Sequence, residues 1–240
     1  MARFDLLVVG GGLAGCEAAW AAARGGLRTL LVSTSLDTLY NLASDAHRLE
    51  PPAGSLMAEL APGLADADGR VDAWALHREV KYALEREPGL HLLQSSVAGL
   101  LVEDGRAVGV TTWEGVDRRA AAVALCVGSF LRARLTIGSS VEAAGRLSEM
   151  AYDDLHDDLA ARGFAFEELT LEAPPVEGSL PYRVACRVLA AGERGPGFAL
   201  PRVEELYAAG LCVAGYLSYE GAARHGLGLG RALVELAARR

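Results

Sequence analysis

The residues with the clearest chemical meaning form a glycine loop near the start of the chain. Gly10, Gly12 and Gly15 have the spacing of a GxGxxG motif, which follows the apolar run 4–9 directly and opens an alanine-rich stretch without proline. In such loops the first glycine permits a tight turn, the second lets backbone N–H groups approach a pyrophosphate, and the third lets helix and strand pack closely. The motif therefore predicts a dinucleotide site at a helix N-terminus. The alternative is a glycine turn that serves packing alone.

The acidic residue that usually recognises the ribose of such a cofactor is missing from its expected place. Dinucleotide sites commonly carry this acid near the end of the second strand. Here the predicted second strand, 28–32, continues into Ser33 and Thr34, and Asp37 is the first acid after it. We expect the hydroxyl groups of Ser33 and Thr34, or backbone groups, to take over this task.

Other reactive side chains show no pattern of a metal or nucleophile site. The four cysteines are far apart, with neither the C-x-x-C spacing of metal and redox sites nor the density of a disulfide scaffold, which predicts reduced, intracellular thiols. They are Cys16, Cys126, Cys186 and Cys212. The five histidines have no paired metal spacing, and only His225 is placed to approach a ligand at the last helix. The acidic run 153–158 is interpreted as a solvated helix face, so we predict no metal site and assign no catalytic residue.

Strands and helices alternate around these residues in the order of an α/β protein. The predicted strands are 4–9, 28–32, 91–95, 100–103, 107–113, 121–127 and 210–215. The predicted helices are 16–24, 71–87, 152–162 and a last helix from about 219 to the C-terminus. A hairpin at Asp104-Gly105 and a return strand ending at Gly128 are typical of large flavoprotein dinucleotide domains. The pattern predicts a Rossmann-like, doubly wound parallel sheet with an inserted antiparallel β hairpin unit, as one domain over 1–240 with an irregular insertion at about 137–202.

The last predicted helix combines an N-terminus suited to negative charge with an unusual number of glycines. Gly226, Gly228 and Gly230 lower its propensity by about 2–3 kcal/mol relative to alanine. We expect close packing of this helix on the sheet to compensate. The strand predicted at 210–215 brings the helix N-terminus to the carboxyl edge of the sheet, where its donors would stabilise a reduced isoalloxazine ring. Glu220, in the first turn, is expected to point to solvent or to cap the backbone.

Length, charge and hydropathy exclude several classes of protein. The chain has 240 residues, of which 51% are hydrophobic, so it is not disordered. Its net charge of -8 disfavours general binding to phosphate backbones or acidic lipid. Because no apolar run is long enough to span a membrane, we expect a cytoplasmic protein without a membrane partner.

Four segments, in this order along the chain, resemble the FAD-binding domain of the GidA (MnmG) family. They are 4–19 with the glycine loop, 36–39, 127–131 together with 137–138 and 145–146, and 210–215 followed by 219–223. The resemblance implies a non-covalent FAD site. With a partner GTPase, that family uses FAD and NADH to modify the wobble uridine of certain tRNAs at C5, and a shorter sister family of folate- and FAD-dependent tRNA methyltransferases shares the motifs.

The resemblance also assigns positions within the cofactor site. The glycine loop matches the pyrophosphate loop, Val97 falls where the family contacts the adenine side, and Gly215 falls where it approaches the flavin. Together, motif and resemblance predict as cofactor-binding residues Gly10, Gly12, Leu13, Ala14, Gly15, Ser33, Thr34, Val97, Gly128, Gly215, Glu220 and Gly221.

The chain departs from the family pattern in its substrate apparatus. By this resemblance Ser44 stands at the position of the family's nucleophilic cysteine, and we expect the family's large insertion and C-terminal helical domain to be absent. We therefore expect an FAD protein with a redox role linked to tRNA modification, with NADH as electron donor and with tRNA bound weakly or through a protein partner or a second copy. The alternatives are a non-catalytic flavin-binding or assembly subunit and a compact NAD-dependent oxidoreductase.

Overall fold

The computed structural model describes residues 4–43, 46–173 and 180–239. Its strands are β1 (Phe4–Val9), β2 (Thr29–Ser33), β3 (Ala46–His47), β4 (Val71–Asp72), β5 (Leu90–Gln94), β6 (Val97–Glu103), β7 (Arg106–Thr112), β8 (Asp117–Leu125), β9 (Arg134–Ile137), β10 (Ser140–Glu142), β11 (Ala144–Arg146), β12 (Glu149–Met150), β13 (Phe166–Ala173), β14 (Tyr182–Leu189) and β15 (Leu206–Ala208). Its α-helices are α1 (Leu13–Arg24), α2 (Leu56–Leu60), α3 (Ala73–Arg86), α4 (Asp153–Ala161), α5 (Leu211–Ala214) and α6 (Tyr219–Ala238).

A mostly parallel sheet forms the centre of the molecule and confirms the predicted fold class. Its strand order is β5-β2-β1-β8-β7-β6, and β15 pairs with the last part of β8. Strands β5, β2, β1, β8 and β15 run parallel, whereas β6 and β7 form the inserted antiparallel hairpin. Parallel strands are covered on both faces, which explains why the 6–9 segment of β1 is entirely apolar and buried. The carboxyl ends of the parallel strands therefore meet at one edge of the sheet.

The first and third helices begin and end at the signals that the sequence carries. Helix α1 begins at Leu13, three residues earlier than predicted, and ends before Gly25 and Gly26, of which Gly26 has a φ of +92°. Helix α3 begins after Asp72, whose carboxylate accepts a hydrogen bond of 2.6 Å from the Ala75 N–H. Side-chain caps of this kind satisfy N–H groups that have no partner within the helix.

The prediction of an irregular insertion at about 137–202 is wrong. Strands β10, β9, β14 and β13 form an antiparallel sheet in that order, and β13 pairs with β14 along its whole length, from Phe166 opposite Leu189 to Ala173 opposite Tyr182. Strand β13 alternates exposed polar with partly buried apolar residues over 168–173, a period of two that suits a strand with one solvated face. The prediction of irregular chain rested partly on Pro174-Pro175 and Gly178, which lie outside the described residues. Helix α4 confirms the helix predicted within this stretch.

The strand predicted at 210–215 is also wrong, because that segment forms the one-turn helix α5. The strand lies earlier, as β15, and ends before Gly210. Gly210 and Gly215 have φ values of +84° and +74°, so the backbone turns sharply at both ends of the apolar run. The Gly210 N–H donates to His225 Nδ1 at 2.8 Å and so pairs with helix α6 instead of a strand.

The glycines of α6 permit close packing, but against helix α1 and not against the sheet as predicted. A Cβ atom on Gly226 would lie 2.1 Å from the Ala14 carbonyl oxygen, and one on Gly230 would lie 2.6 Å from the Ala18 carbonyl oxygen. The Gly228 position instead faces the Phe198 ring, at 3.1 Å. Because Ala14 belongs to the first turn of α1, this contact between helices fixes the turn that follows the glycine loop.

Candidate functional site

Two of the loop glycines are required by the approach of neighbouring backbone. Gly10 has a φ of +105°, and its N–H donates to the Val32 carbonyl at 2.8 Å, which joins the loop to the end of β2. A Cβ atom on Gly10 would lie 2.4 Å from the Cys126 carbonyl oxygen, and one on Gly15 would lie 1.8 Å from the Gly10 carbonyl oxygen. Glycine at these two positions therefore shapes the turn and the packing of α1 on β1.

Gly12 has a different environment, because nothing fills the space beside it. A Cβ atom on this residue would have no protein atom within 4 Å. Gly12 is the N-cap of α1 and supplies no side chain to cap the helix. The N–H groups of Leu13, Ala14 and Gly15 are first-turn donors without an intrahelical partner. These N–H groups lie at the partly positive N-terminus of the helix, beside open space. This arrangement fits the pyrophosphate of a dinucleotide.

A crevice of about 430 Å³, counting the space at its mouth, begins at this loop. Of the residues predicted to bind the cofactor, Gly10, Gly12, Ser33, Thr34 and Gly128 line it. The lining also contains residues that were not predicted as site residues, namely Gly11, Thr38, Cys126, Val127, Phe130, Arg146, Glu149 and Tyr152. Strand ends β1, β2 and β8 bring the first group together, as expected for the carboxyl edge of a parallel sheet. The second group comes mainly from the 126–152 segment.

An ion pair forms the polar wall of this crevice. Arg146 Nε donates to Glu149 Oε1 at 2.5 Å, and Arg146 Nη1 donates to the Asn41 carbonyl at 3.0 Å. Thr38 Oγ1 donates to Glu149 Oε2 at 3.1 Å. Burial raises the pKa of the neighbouring Tyr152 hydroxyl, and the charge of Glu149 adds to this effect. The wall thus ties the segment after β2 to strands β11 and β12.

The residues at the end of β2 differ in how much they can offer a ligand. The buried Ser33 hydroxyl donates to the Ser35 carbonyl at 3.0 Å, so its proton is already used. Thr34 borders the crevice beside Tyr152. Asp37 does not border it, since its side chain is 88% exposed and pairs with Lys81 at 2.8 Å. Val97 is buried at the start of β6, outside the lining of the crevice.

The predicted flavin-side residues do not line this crevice: Gly215 follows α5, and Glu220 and Gly221 lie in the first turn of α6. Gly215 has open space where a Cβ would stand. The Gly221 N–H is already bonded to Ser218 Oγ at 3.1 Å, which caps the helix. Glu220 Oε1 accepts a hydrogen bond of 3.3 Å from the Glu50 N–H. Burial alone would raise the pKa of Glu220, but hydrogen bonds from backbone N–H groups outweigh it and lower the pKa. Its carboxylate caps backbone, one of the two orientations expected.

His225 has a structural partner and borders a second crevice. Its Nδ1 accepts the Gly210 N–H, and its ring lies 5.0 Å from the Phe198 ring, centroid to centroid. Burial, together with the positive charge of Arg194, lowers the pKa of His225. This second crevice lies beyond β15 and shares no lining residue with the first. His225 therefore holds the turn at Gly210 and is not brought to the glycine loop.

The cysteines are all buried and unreactive. Burial raises the pKa of Cys186 and of Cys212 to about 11, and it holds the pKa of Cys16 and of Cys126 well above the ordinary value for a thiol. Since the thiolate is the nucleophile, none of the four is suited to covalent catalysis. Ser44, at the family's cysteine position, lies outside the described residues.

The acidic face of α4 is bound by arginines. Asp153 pairs with Arg134 at 2.9 Å, and Asp158 pairs with Arg162 at 2.9 Å. Asp158 also accepts the Leu100 N–H at 2.9 Å, which anchors the helix to β6 and shows that this face is more than solvated surface. Over 4–43, 46–173 and 180–239, no group of three His, Cys, Asp or Glu side chains could hold a metal ion. No helix in these ranges is long and apolar enough to cross a membrane.

Comparison with protein families and curated sequences gives one consistent match. The family model described as glucose inhibited division protein A (GIDA) matches residues 5–63 and 61–178. The tRNA uridine 5-carboxymethylaminomethyl modification enzyme MnmG of Chlamydia caviae is 32% identical over 223 residues, which cover 82% of this chain and 36% of that protein. The chain thus spans about a third of the length of the curated relative.

Solved structures match over almost the whole chain. The GidA-related protein from Thermus thermophilus is 40% identical with a TM-score of 0.87, and the match covers 98% of this chain and 100% of that one. Aquifex aeolicus GidA is 17% identical with a TM-score of 0.85, and the match covers 98% of this chain and 64% of that one. The second likeness concerns the fold alone.

Proposed function

This chain belongs to the GidA family, and from that premise we propose that it is a flavoprotein that binds one FAD non-covalently at the glycine loop. The observation that carries the proposal is the cradle at Gly12, where uncapped N–H donors of α1 border empty space. The names of the family's longer members refer to tRNA modification. The cradle in this chain supports the binding of the cofactor and not the reaction on tRNA. FAD supplies two-electron redox chemistry when bound.

Each end of the cofactor has a proposed set of contacts. The N–H groups of Leu13, Ala14 and Gly15 would bind the pyrophosphate, and Val97 would lie on the adenine side. Gly215 and the start of α6, with Glu220 and Gly221, are proposed for the flavin end, whereas Gly128 would contact the cofactor within the crevice at the glycine loop. Because the Gly221 N–H is bonded to Ser218, its contribution would be the absence of a side chain and not a donor.

The redox role that we propose is linked to tRNA wobble-uridine modification but does not extend to the complete reaction. The four thiols are buried with raised pKa values, so they offer no nucleophile for covalent attack on a base. The net charge of -8 opposes tRNA binding by the chain alone. These observations favour a flavin-binding component that reaches tRNA through a partner. NADH is proposed as the electron donor on the family resemblance alone.

We expect the FAD-loaded chain to bind tRNA weakly and to leave its wobble uridine unmodified. The test incubates the protein with FAD, NADH and tRNA, digests the tRNA and measures modified nucleosides by mass spectrometry, beside a full-length MnmG relative with its partner as positive control. Filter binding over a series of salt concentrations measures the affinity for tRNA. Modified uridine formed by this chain alone would overturn the proposal, as would tight binding at physiological ionic strength.

A further inference from the structure

The crevice contains a carboxylate that the second strand does not supply. At the end of β2, Thr34 stands where an acid would recognise ribose, and the neighbouring Ser33 hydroxyl donates to Ser35. Glu149, which is 115 positions farther along the chain than Thr34, lines the same crevice as these two residues. Tyr152 lines the crevice together with Thr34 and Glu149. It is hydrogen-bonded with Thr34, and the charge of Glu149 raises the pKa of its hydroxyl.

A tight hairpin holds Glu149 in this place. Strands β11 and β12 pair with Arg146 directly opposite Glu149, and the turn between them contains Ser148 in the left-handed region, with a φ of +61°. A non-glycine residue in this region is uncommon and carries strain, which suggests that the geometry of the turn matters. The Glu149 side chain is only 10% exposed, so its position is well determined by its neighbours.

The hydrogen bonds of Glu149 leave room for one more donor. Oε1 accepts from the Arg146 guanidinium, through Nε and through Nη2. Within the described residues, Oε2 accepts one hydrogen bond, from Thr38 Oγ1. A carboxylate has about four acceptor positions, two on each oxygen, so one position on Oε2 remains for a ligand. Arg146 directs its other donors to the carbonyls of Asn41 and Thr38, so the protein itself uses them.

We propose that Glu149 is the residue that positions the adenosine ribose, by accepting a hydrogen bond from its 2′-hydroxyl. In other dinucleotide sites, the acid after the second strand binds the ribose hydroxyl groups. Here Glu149 would do this from the β11–β12 hairpin. The inference rests on the proposed binding of FAD.

The test compares FAD with an FAD analogue whose adenosine ribose lacks the 2′-hydroxyl. Dissociation constants of both are measured by titration of apo-protein, for wild type, Glu149→Ala and Thr38→Val. Wild type is expected to bind FAD about tenfold more tightly than the analogue, the size typical of a hydrogen bond to a charged group. Glu149→Ala is expected to bind both equally. Thr38→Val keeps the Glu149 carboxylate and is expected to keep the preference for FAD over the analogue. This variant therefore separates loss of ribose recognition from general disruption of the polar wall of the crevice.

The outcomes distinguish this inference from the function on which it rests. If Glu149→Ala retains the tenfold preference, or wild type shows none, Glu149 does not recognise the 2′-hydroxyl although FAD binding stands. If wild type binds neither FAD nor the analogue, the proposed function fails and this inference fails with it. Glu149→Gln replaces Glu149→Ala if the alanine variant does not fold. It retains the shape of the side chain and, without the charge, is expected to reduce the preference for FAD.

Discussion

Gly12→Val is expected to abolish FAD binding without unfolding the protein. Gly12 has φ and ψ of -74° and -175°, an extended conformation that valine adopts readily, and no protein atom lies within 4 Å of a Cβ placed there. The added side chain therefore fills only the space proposed for the pyrophosphate and blocks the N–H groups behind it. We expect the affinity for FAD to fall by about 100-fold or more, the equivalent of ~3 kcal/mol.

The comparison that makes this result specific is Gly63→Val. Gly63 is exposed and likewise has no atom within 4 Å of its Cβ position, but it lies in the short 3-10 helix 61–64, which does not line the crevice. The Gly63→Val protein should bind FAD with wild-type affinity. Thermal unfolding of both variants checks that the fold is intact. A Gly12→Val protein that folds and binds FAD with wild-type affinity would show that the cofactor does not approach this loop.

Glu17→Ala is expected to lower the free energy of unfolding by about 3–5 kcal/mol, because each buried donor left without a partner costs about 1–3 kcal/mol. Glu17 is fully buried in α1. Its carboxylate accepts hydrogen bonds from the Tyr40 hydroxyl at 2.6 Å and from the N–H groups of Leu56 and Met57 at 2.8 Å and 3.0 Å. Alanine would leave all three donors buried without a partner. Chemical denaturation of wild type and variant measures the difference.

The same carboxylate makes stability depend on pH. Burial raises the pKa of Glu17, although its hydrogen bonds and the charge of Arg231 act in the opposite direction. The folded protein therefore holds this proton more tightly than the unfolded chain does. The contribution of Glu17 to the free energy of unfolding is fully present below its pKa in the unfolded chain, about 4.3. It is lost as the pH rises through the raised pKa of Glu17 in the folded protein. Glu17→Gln should remove this decline in stability and should cost about 1–2 kcal/mol for one mismatched donor.

Glu79→Ala is the matched control for both Glu17 variants. Glu79 is exposed on α3, so its loss should change the free energy of unfolding by no more than about 0.5 kcal/mol and should leave the pH dependence as in wild type. An equal effect of Glu17→Ala and Glu79→Ala would contradict the role assigned to the buried network.

The N-terminal half of the fold could be predicted because its signals are local. The glycine loop, the apolar strand before it and the helix after it follow one another within 4–24, and Asp72 caps α3 from the adjacent position. These features depend on hydrogen bonds and sterics between near neighbours in sequence. The order of segments shared with the family then identified the sheet as that of a flavoprotein.

The apolar segment 210–215 shows where local signals mislead. A short buried run does not distinguish a strand from a turn of helix. The two flanking glycines both have positive φ, and the Gly210 N–H is bonded to His225, a residue of α6 that lies 15 positions later. The antiparallel sheet built from β9, β10, β13 and β14 was missed for a related reason, since its two halves are joined by the pairing of β9 with the distant strand β14, where Ile137 lies opposite Tyr182.

Glu17 and Glu149 could not be found from sequence for the same physical reason. Each is one acidic residue among 31 Asp and Glu residues, without a motif around it. Their importance arises from partners that are distant along the chain, Tyr40 and Leu56 for Glu17 and Thr38 for Glu149. Only the three-dimensional structure shows that one carboxylate is buried and that the other faces the crevice.

The most direct test of the central claim is a titration of apo-protein with FAD, NAD and NADP under identical conditions. Calorimetry gives the stoichiometry and the dissociation constant for each cofactor, and the change in flavin absorbance checks the value for FAD. The account predicts one FAD per chain, released unchanged on denaturation, and much weaker binding of both nicotinamide dinucleotides. A protein that prefers NAD or NADP over FAD would contradict the assignment of the glycine loop and crevice to a flavin cofactor.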